Sequence, residues 1–287
     1  MAGAPISWGI CEVPGWGLQL PVERVLAEMH EVGLAATELG AAGWLEGDAT
    51  QIAETLQRFQ LAAVAAFVPL VLHDATQLDE TLKQATAQAE LLHALGATNF
   101  VTALVSDPDH WQRPPLGDVG WQQVYRGLEA VDEITGEFGL VQVVHPHVDT
   151  LVEQADEVRR VLDNTGVSFC LDTGHLMIGG ADPAEMAVTS FDRVGLVHLK
   201  DVRRSVATRL QQGEFGLHDA VRHGIFPPLG HGDVALREVV TNLEARGYDG
   251  WYVFEQDAML TDGAPPVGRG PIEDVRTSVA FLQALAA

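Results

Sequence analysis

Several apolar runs of this sequence stop abruptly on residues that can do chemistry. VSFCLDTGHLMIGG (167–180) ends its β-branched stretch in Asp172 and His175, and VGLVHLKDV (194–202) delivers His198, Lys200 and Asp201. LVQVVHPH (140–147) closes on His145 and His147, AATEL (35–39) on Glu38, and GWYVFEQD (250–257) on Glu255 and Asp257. His145, Asp172, His198 and Glu255 form a mixed nitrogen and oxygen donor set, which suits Mn²⁺, Co²⁺, Fe²⁺ or Zn²⁺ and, less well, Mg²⁺. His147 and His175 each follow one of these donors closely, where an imidazole can hydrogen-bond a substrate oxygen or move a proton. Each residue also has a structural reading: Asp172 before Thr-Gly can open a turn, a strand histidine can be a hydrogen-bonded core residue, and Glu255 can pair with an arginine. Only a fold that brings the strand ends together favours the site.

The chain supplies such a fold. Apolar runs at 4–8, 35–39, 61–68, 98–104, 140–145, 167–172, 194–200 and 250–255 alternate with segments of helical period, from PVERVLAEMHEVG to PIEDVRTSVAFLQAL. Many of the helical segments open on Asp, Thr or Pro and close on Gly, as capping chemistry predicts. Alternating strands and helices predict a parallel sheet covered by helices. Eight such units in 287 residues fit a closed (β/α)₈ TIM barrel, whose usual size is about 250 residues. The rival, an open doubly wound sheet, lacks the G-x-G-x-x-G that a dinucleotide fold places after its first strand. In a barrel, functional side chains sit at the C-terminal strand ends, and neighbouring strands about 4.8 Å apart let equivalent positions converge on one ion.

With no linker rich in Gly, Pro or Ser, residues 1–287 read as one domain. The longest irregular piece, residues 203–232, is expected to be a lid, a binding loop or a small subdomain. Within it, GHGD (230–233) could cradle a phosphate, although Asp233 as the N-cap of the following helix explains the motif more simply.

Against 17 Lys and Arg stand 40 Asp and Glu, a formal net charge of −23 that repels nucleic acid and anionic lipid surfaces alike. Cys11 and Cys170 are too few for a disulfide framework and read as reduced packing residues of a cytoplasmic protein. MAGAPISWGI has no basic region leading into a long apolar one, so no secretion signal is expected, and LAAVAAFVPLVL is too short for a membrane span of about 20 residues. The outer helices of a barrel offer surfaces for a symmetric homo-oligomer.

ISWGICE, EVGLAATELGAAGWL, HPHVDT, LDTGHLMIGG, VHLKDV and GYDGWYVFEQD together make the chain resemble the xylose-isomerase-like TIM-barrel superfamily of sugar isomerases and epimerases, and within it the inosose dehydratase branch. LDTGH and HLKD are shared widely in that superfamily, whereas HPH with TELG is more characteristic of the dehydratases. The resemblance covers nearly the whole chain. It implies a metal held by His145, Asp172, His198 and Glu255, with Mn²⁺ or Co²⁺ favoured. It also implies a small sugar or cyclitol substrate, with Glu38, His175 and Arg203 or Arg204 near its oxygens. The ketose 3-epimerases of the superfamily carry glutamate where this chain has His145, which disfavours a two-carboxylate epimerase.

The expected chemistry is metal-assisted removal of a proton α to a carbonyl, followed by loss of a β-hydroxyl as water. Glu255 or one of His145, His147 and His175 would handle the proton, and Lys200 would polarise a hydroxyl or anchor Asp201. A sugar or sugar-phosphate isomerase or epimerase using the same ion is the alternative. A sugar-binding barrel without catalysis, or an endonuclease IV-like repair enzyme, which the acidic balance opposes, fits less well.

Overall fold

Nine short parallel strands carry the architecture of the computed structural model, which describes residues 1–108 and 111–285. They are β1 (Ala2–Gly3), β2 (Ala36–Thr37), β3 (Ala62–Ala63), β4 (Phe67–Leu70), β5 (Asn99–Leu104), β6 (Val141–Val144), β7 (Ser168–Asp172), β8 (Val194–Leu199) and β9 (Tyr252–Phe254). The sheet runs β3-β2-β1-β9-β8-β7-β6-β5-β4, so its two ends are consecutive in the chain. Residues 64–66 join them. The Val64 amide donates to the Thr37 carbonyl and the Leu39 amide to Ala65, while the Asn99 amide donates to Val64 and the Val101 amide to Ala66, all at 3.0–3.1 Å. The single run expected as the third strand is therefore two short strands, because the chain there changes partner from β2 to β5. Eight strand units close one (β/α)₈ barrel.

The first strand also departs from expectation. It lies at Ala2–Gly3, and Pro5–Trp8 forms a 3₁₀ turn that ends at Gly9, whose φ is +83°. Pro5 has no amide to give a ladder and its fixed φ suits a helical first turn, whereas Gly9 supplies the left-handed terminus.

Side chains alternate across each strand, and this alternation separates two cores. Inside the barrel, small residues fill the axis: Ala2, Ala36, Val64, Val101, Val143, Cys170, Leu196 and Val253 are all buried there. Between strands and helices lie larger ones, among them Phe100, Phe169, Leu171, Val197 and Leu199. Each inward residue fixes the direction of the residue two places on. Beyond Ala36 comes Glu38, beyond Val143 comes His145, beyond Cys170 comes Asp172, beyond Leu196 come His198 and Lys200, and beyond Val253 come Glu255 and Asp257.

The helices follow local rules. Asp48 and Gln51 form a reciprocal capping box on Ala49–Arg58, and Asp182 caps Pro183–Thr189. The region 203–232 is not irregular: it folds into helices Arg204–Gln211 and Leu217–Arg222, seated on a third apolar cluster that includes Trp16, Val148, Ile178, Val202, Val221, Ile225 and Phe226. Its glycine-rich end is no phosphate cradle. The amides of Gly230 and Gly232 donate to Asp201 Oδ2 at 2.9 and 2.8 Å, and those of Val202 and Val234 donate to Oδ1. Nor does Asp233 cap the following helix. Its Oδ2 accepts the Arg204 amide at 2.8 Å, which tethers the helix behind it, while Leu236–Glu244 begins from Ala235. Among the described residues, no helix is long and apolar enough to cross a membrane.

Gly179 ends the short helix Thr173–Ile178, and its carbonyl accepts the Ala155 amide at 3.0 Å. A Cβ there would stand 1.9 Å from the Glu153 carbonyl oxygen. Backbone cannot swing aside as a side chain can. Gly179→Ala is expected to lower stability by about 3 kcal/mol, the upper end of ordinary overpacking costs, as read from urea unfolding. Unchanged stability would show that the two segments separate freely.

Candidate metal centre

The inward positions at the ends of β6, β7, β8 and β9 meet at one point. His145, Asp172, His198 and Glu255 each offer a donor atom, no two of these atoms are more than 4.8 Å apart, and all four residues are buried. His145 Nε2 is 3.3 Å from Asp172 Oδ2, and His198 Nδ1 lies 3.7 Å from that oxygen and 2.6 Å from Glu255 Oε2. Donors bound to one ion at about 2.0–2.2 Å lie at comparable separations from one another.

Local structure fixes each donor. Asp172 spends its other oxygen, Oδ1, on the amides of Gly174 and His175 at 2.9 and 2.7 Å, capping the helix that starts there, so Oδ2 is the oxygen left for the centre. The turn reading and the ligand reading of Asp172 are thus compatible, one for each oxygen. His198 Nε2 donates to Glu38 Oε1 at 3.0 Å, which leaves Nδ1 as the nitrogen facing the carboxylates. Nδ1 is buried and has no hydrogen-bond partner, since its close contact with Glu255 is not aligned for one. An orphaned imidazole nitrogen beside two carboxylate oxygens fits a divalent cation.

Lys200 forms the second half of the arrangement. Its fully buried ammonium lies 2.6 Å from Glu255 Oε1, 2.8 Å from Asp257 Oδ1 and 3.0 Å from His175 Nε2. Three N–H bonds meet three partners, so Lys200 orients Glu255 and His175 and has no donor to spare for a substrate hydroxyl. Asp201 is held by backbone amides instead of by Lys200.

Electrostatics sort these groups by charge. Burial opposes ionisation of Asp172, but the neighbouring His175, the Lys200 ammonium and a hydrogen bond from His145 hold its carboxyl well below the usual range. Burial likewise opposes charge on Glu255, and Lys200 and His198 overcome it. The Lys200 ammonium is disfavoured by burial yet raised above its ordinary value by Asp257 and Glu255. Burial, reinforced by neighbouring positive groups, keeps two imidazoles neutral: His147 is pushed down to about 3, and His175 falls well below its ordinary value.

The walls are aromatic. His147 lies against His175 with ring centroids 3.9 Å apart and planes tilted by 35°, and Trp111 meets His147 edge-on at 5.4 Å. Phe67 stands edge-on to His145 at 5.7 Å, and the Lys200 ammonium sits over the Phe226 ring at 4.7 Å. Reasoning from sequence missed Phe67, Trp111 and Phe226, which come from three distant segments, and left Asp257 out of the site although it follows Glu255 by two, the inward spacing.

Two expected roles change. Glu38 is buried behind His198 and bonded to it, where it orients an imidazole rather than a substrate. Arg203 and Arg204 are exposed: the Arg203 guanidinium donates to the Gly224 carbonyl, and Arg204 opens the helix Arg204–Gln211. They follow HLKD in sequence, but both stand exposed to solvent.

The geometry defines a TIM barrel with a buried mixed-donor centre at its C-terminal mouth. A family profile described as the xylose isomerase-like TIM barrel matches residues 26–285, and the chain belongs to that family. An inosose dehydratase of Geobacillus kaustophilus (strain HTA426) is 32% identical over 266 residues, covering 88% of this chain and 86% of the relative. A rhizopine catabolism protein, MocC, of Rhizobium meliloti is also 32% identical, covering 88% of this chain and 80% of its own length. Among solved structures, an L-ribulose 3-epimerase superposes with a TM-score of 0.71 at 17% identity, covering 99% of this chain and 93% of the other. A probable 3-DHS dehydratase, AsbF, from Bacillus anthracis superposes at 0.72 with 14% identity and 98% coverage of both chains.

Asp172→Asn retains an oxygen for the helix cap and removes the charge. It is expected to abolish stoichiometric Mn²⁺ uptake in equilibrium dialysis with an unchanged far-ultraviolet circular dichroism spectrum. Glu38→Gln, acting only through His198, should weaken Mn²⁺ by about 10–100-fold, as loss of an outer partner of a ligand typically does. Full metal content in the first variant would remove Asp172 from the centre.

Proposed function

We propose that this protein is a divalent-metal-dependent dehydratase acting on a cyclic polyhydroxy ketone, in the manner of an inosose dehydratase, with Mn²⁺ or Co²⁺ as its ion. The observation that carries the reading is the juxtaposition of the four-donor centre with two neutral imidazoles, His147 and His175, under one aromatic wall. The two relatives at 32% identity support it, one being an inosose dehydratase. A cation held there supplies Lewis acidity to a carbonyl oxygen and lowers the cost of negative charge when the adjacent C–H is deprotonated.

The chain's own groups divide the remaining work. His147 donates from Nδ1 to the Val148 carbonyl at 2.7 Å, which fixes the tautomer and leaves Nε2 as a proton acceptor. His175, held by the Lys200 ammonium through Nε2, stands against His147 and is the second group for the proton that a departing hydroxyl takes. Glu255, pinned through Oε1 by Lys200, is held as a carboxylate and can take a proton only at the expense of that ion pair. Phe226, carried by the helical segment 203–232, packs against His175 and Lys200. This supports reading the segment as a lid that keeps bulk water from the reacting carbons.

The experiment is incubation of the Mn²⁺-loaded protein with inosose in deuterated water. Dehydration gives an ultraviolet-absorbing dione. An isomerase or epimerase would give a deuterium-labelled isomer of otherwise unchanged mass, and a purely sugar-binding barrel would leave the α-proton in place. His147→Gln and His175→Gln are expected to retain Mn²⁺. At least one should lose about 10²–10⁴-fold in kcat, the usual contribution of a positioned acid or base. Full turnover in both would transfer the proton to Glu255.

A further inference from the structure

We propose that His145, Cys170 and His198 form a second cation site one layer deeper in the barrel, selective for thiophilic ions such as Zn²⁺ or Cd²⁺, whose occupation excludes the ion above. The three side chains are buried and each offers a donor atom, with no two of these atoms more than 4.8 Å apart. Cys170 and Asp172 share the inward face of β7. The β6–β7 register pairs Val143 with Ser168 and Val144 with Phe169, and its continuation sets His145 beside Cys170. His145 Nδ1 and His198 Nδ1 are both buried without a hydrogen-bond partner, so unpaired nitrogen accompanies the sulfur.

Softness decides which ion enters. Binding breaks the S–H bond, forms a metal–sulfur bond and releases the proton to solvent. Mn²⁺ and Mg²⁺ gain little from thiolate and favour the carboxylates, whereas thiophilic ions recover the cost of deprotonation. His145 and His198 cannot serve both ions at once, and on this point alone the inference rests on the proposed centre. A thiophilic ion would therefore expel the hard one.

The test adds one equivalent of Cd²⁺ to the full-length protein after dialysis against Mn²⁺. Expected are a thiolate-to-cadmium charge-transfer band in the ultraviolet and the electron paramagnetic resonance signal of released Mn²⁺. Cys170→Ser and Cys170→Ala, one keeping a polar group and the other suiting the apolar interior, should lose the band and bind Cd²⁺ about 10–100-fold more weakly. Asp172→Asn should keep the band. No band in the wild type, or a band persisting in either folded Cys170 variant, overturns the sulfur site. Mn²⁺ uptake without a Cd²⁺ band upholds the mixed centre and sinks the sulfur site, while a band in a protein that never binds Mn²⁺ does the reverse.

Discussion

The buried ammonium of Lys200 is the charge around which the mouth of the barrel is arranged. Asp172, Glu255 and Asp257 are almost wholly withdrawn from water, and Lys200 is the only lysine or arginine among the buried described residues. Isolated buried charges are costly, and removing one partner of a buried pair commonly costs about 3–5 kcal/mol because the other is left uncompensated. Lys200 reaches this position because Gly174 has no side chain: a Cβ there would stand 2.6 Å from Lys200 Cγ. The Thr-Gly step after Asp172 thus does two things. It starts the helix that Asp172 caps, and it leaves room for the lysine stem.

A second constraint, the alternation of side chains along parallel strands, determines what surrounds that charge. Small apolar residues must fill the barrel axis, and the next inward position on each strand is the first beyond that filling. On β6 to β9 those positions carry His145, Asp172, His198 and Glu255. On the opposite side of the barrel, the corresponding region contributes Glu38 from beyond β2 and Phe67 from β4. The site is therefore lopsided: charge and imidazole on one wall, with hydrocarbon facing much of it.

The same alternation explains what was legible in the sequence. The four donor positions could be read because each sits at the end of a strong apolar run on a strand whose period is unambiguous. The split of the third strand could not, since it arises where the barrel closes and the hydrogen bonds of residues 64–66 pass from one neighbour to the other. That event depends on the whole sheet. Pro5 did carry a warning against a strand at 4–8. For Arg203 and Arg204, nearness to HLKD in sequence says nothing about direction once a helix begins. The aromatic wall was invisible for a different reason: Phe67, Trp111 and Phe226 look like any buried aromatic until three segments converge.

Glu38 shows how far such a reading can be sharpened by geometry. Its position beyond β2 marks it as inward, which is equally true of a substrate contact and of a ligand's partner. The 3.0 Å bond to His198 Nε2 decides between them, because it engages that nitrogen and leaves Nδ1 as the one facing Asp172 and Glu255. A carboxylate in this place does more than orient a ring. By accepting the N–H it increases the basicity of the opposite nitrogen, and so strengthens the imidazole as a donor to a cation. Lys200 acts in the opposite sense on His175, placing positive charge against Nε2 and helping to keep that ring neutral. Two histidines of the same barrel mouth are thus driven apart in character by what stands behind each, one toward ligation and the other toward proton transfer.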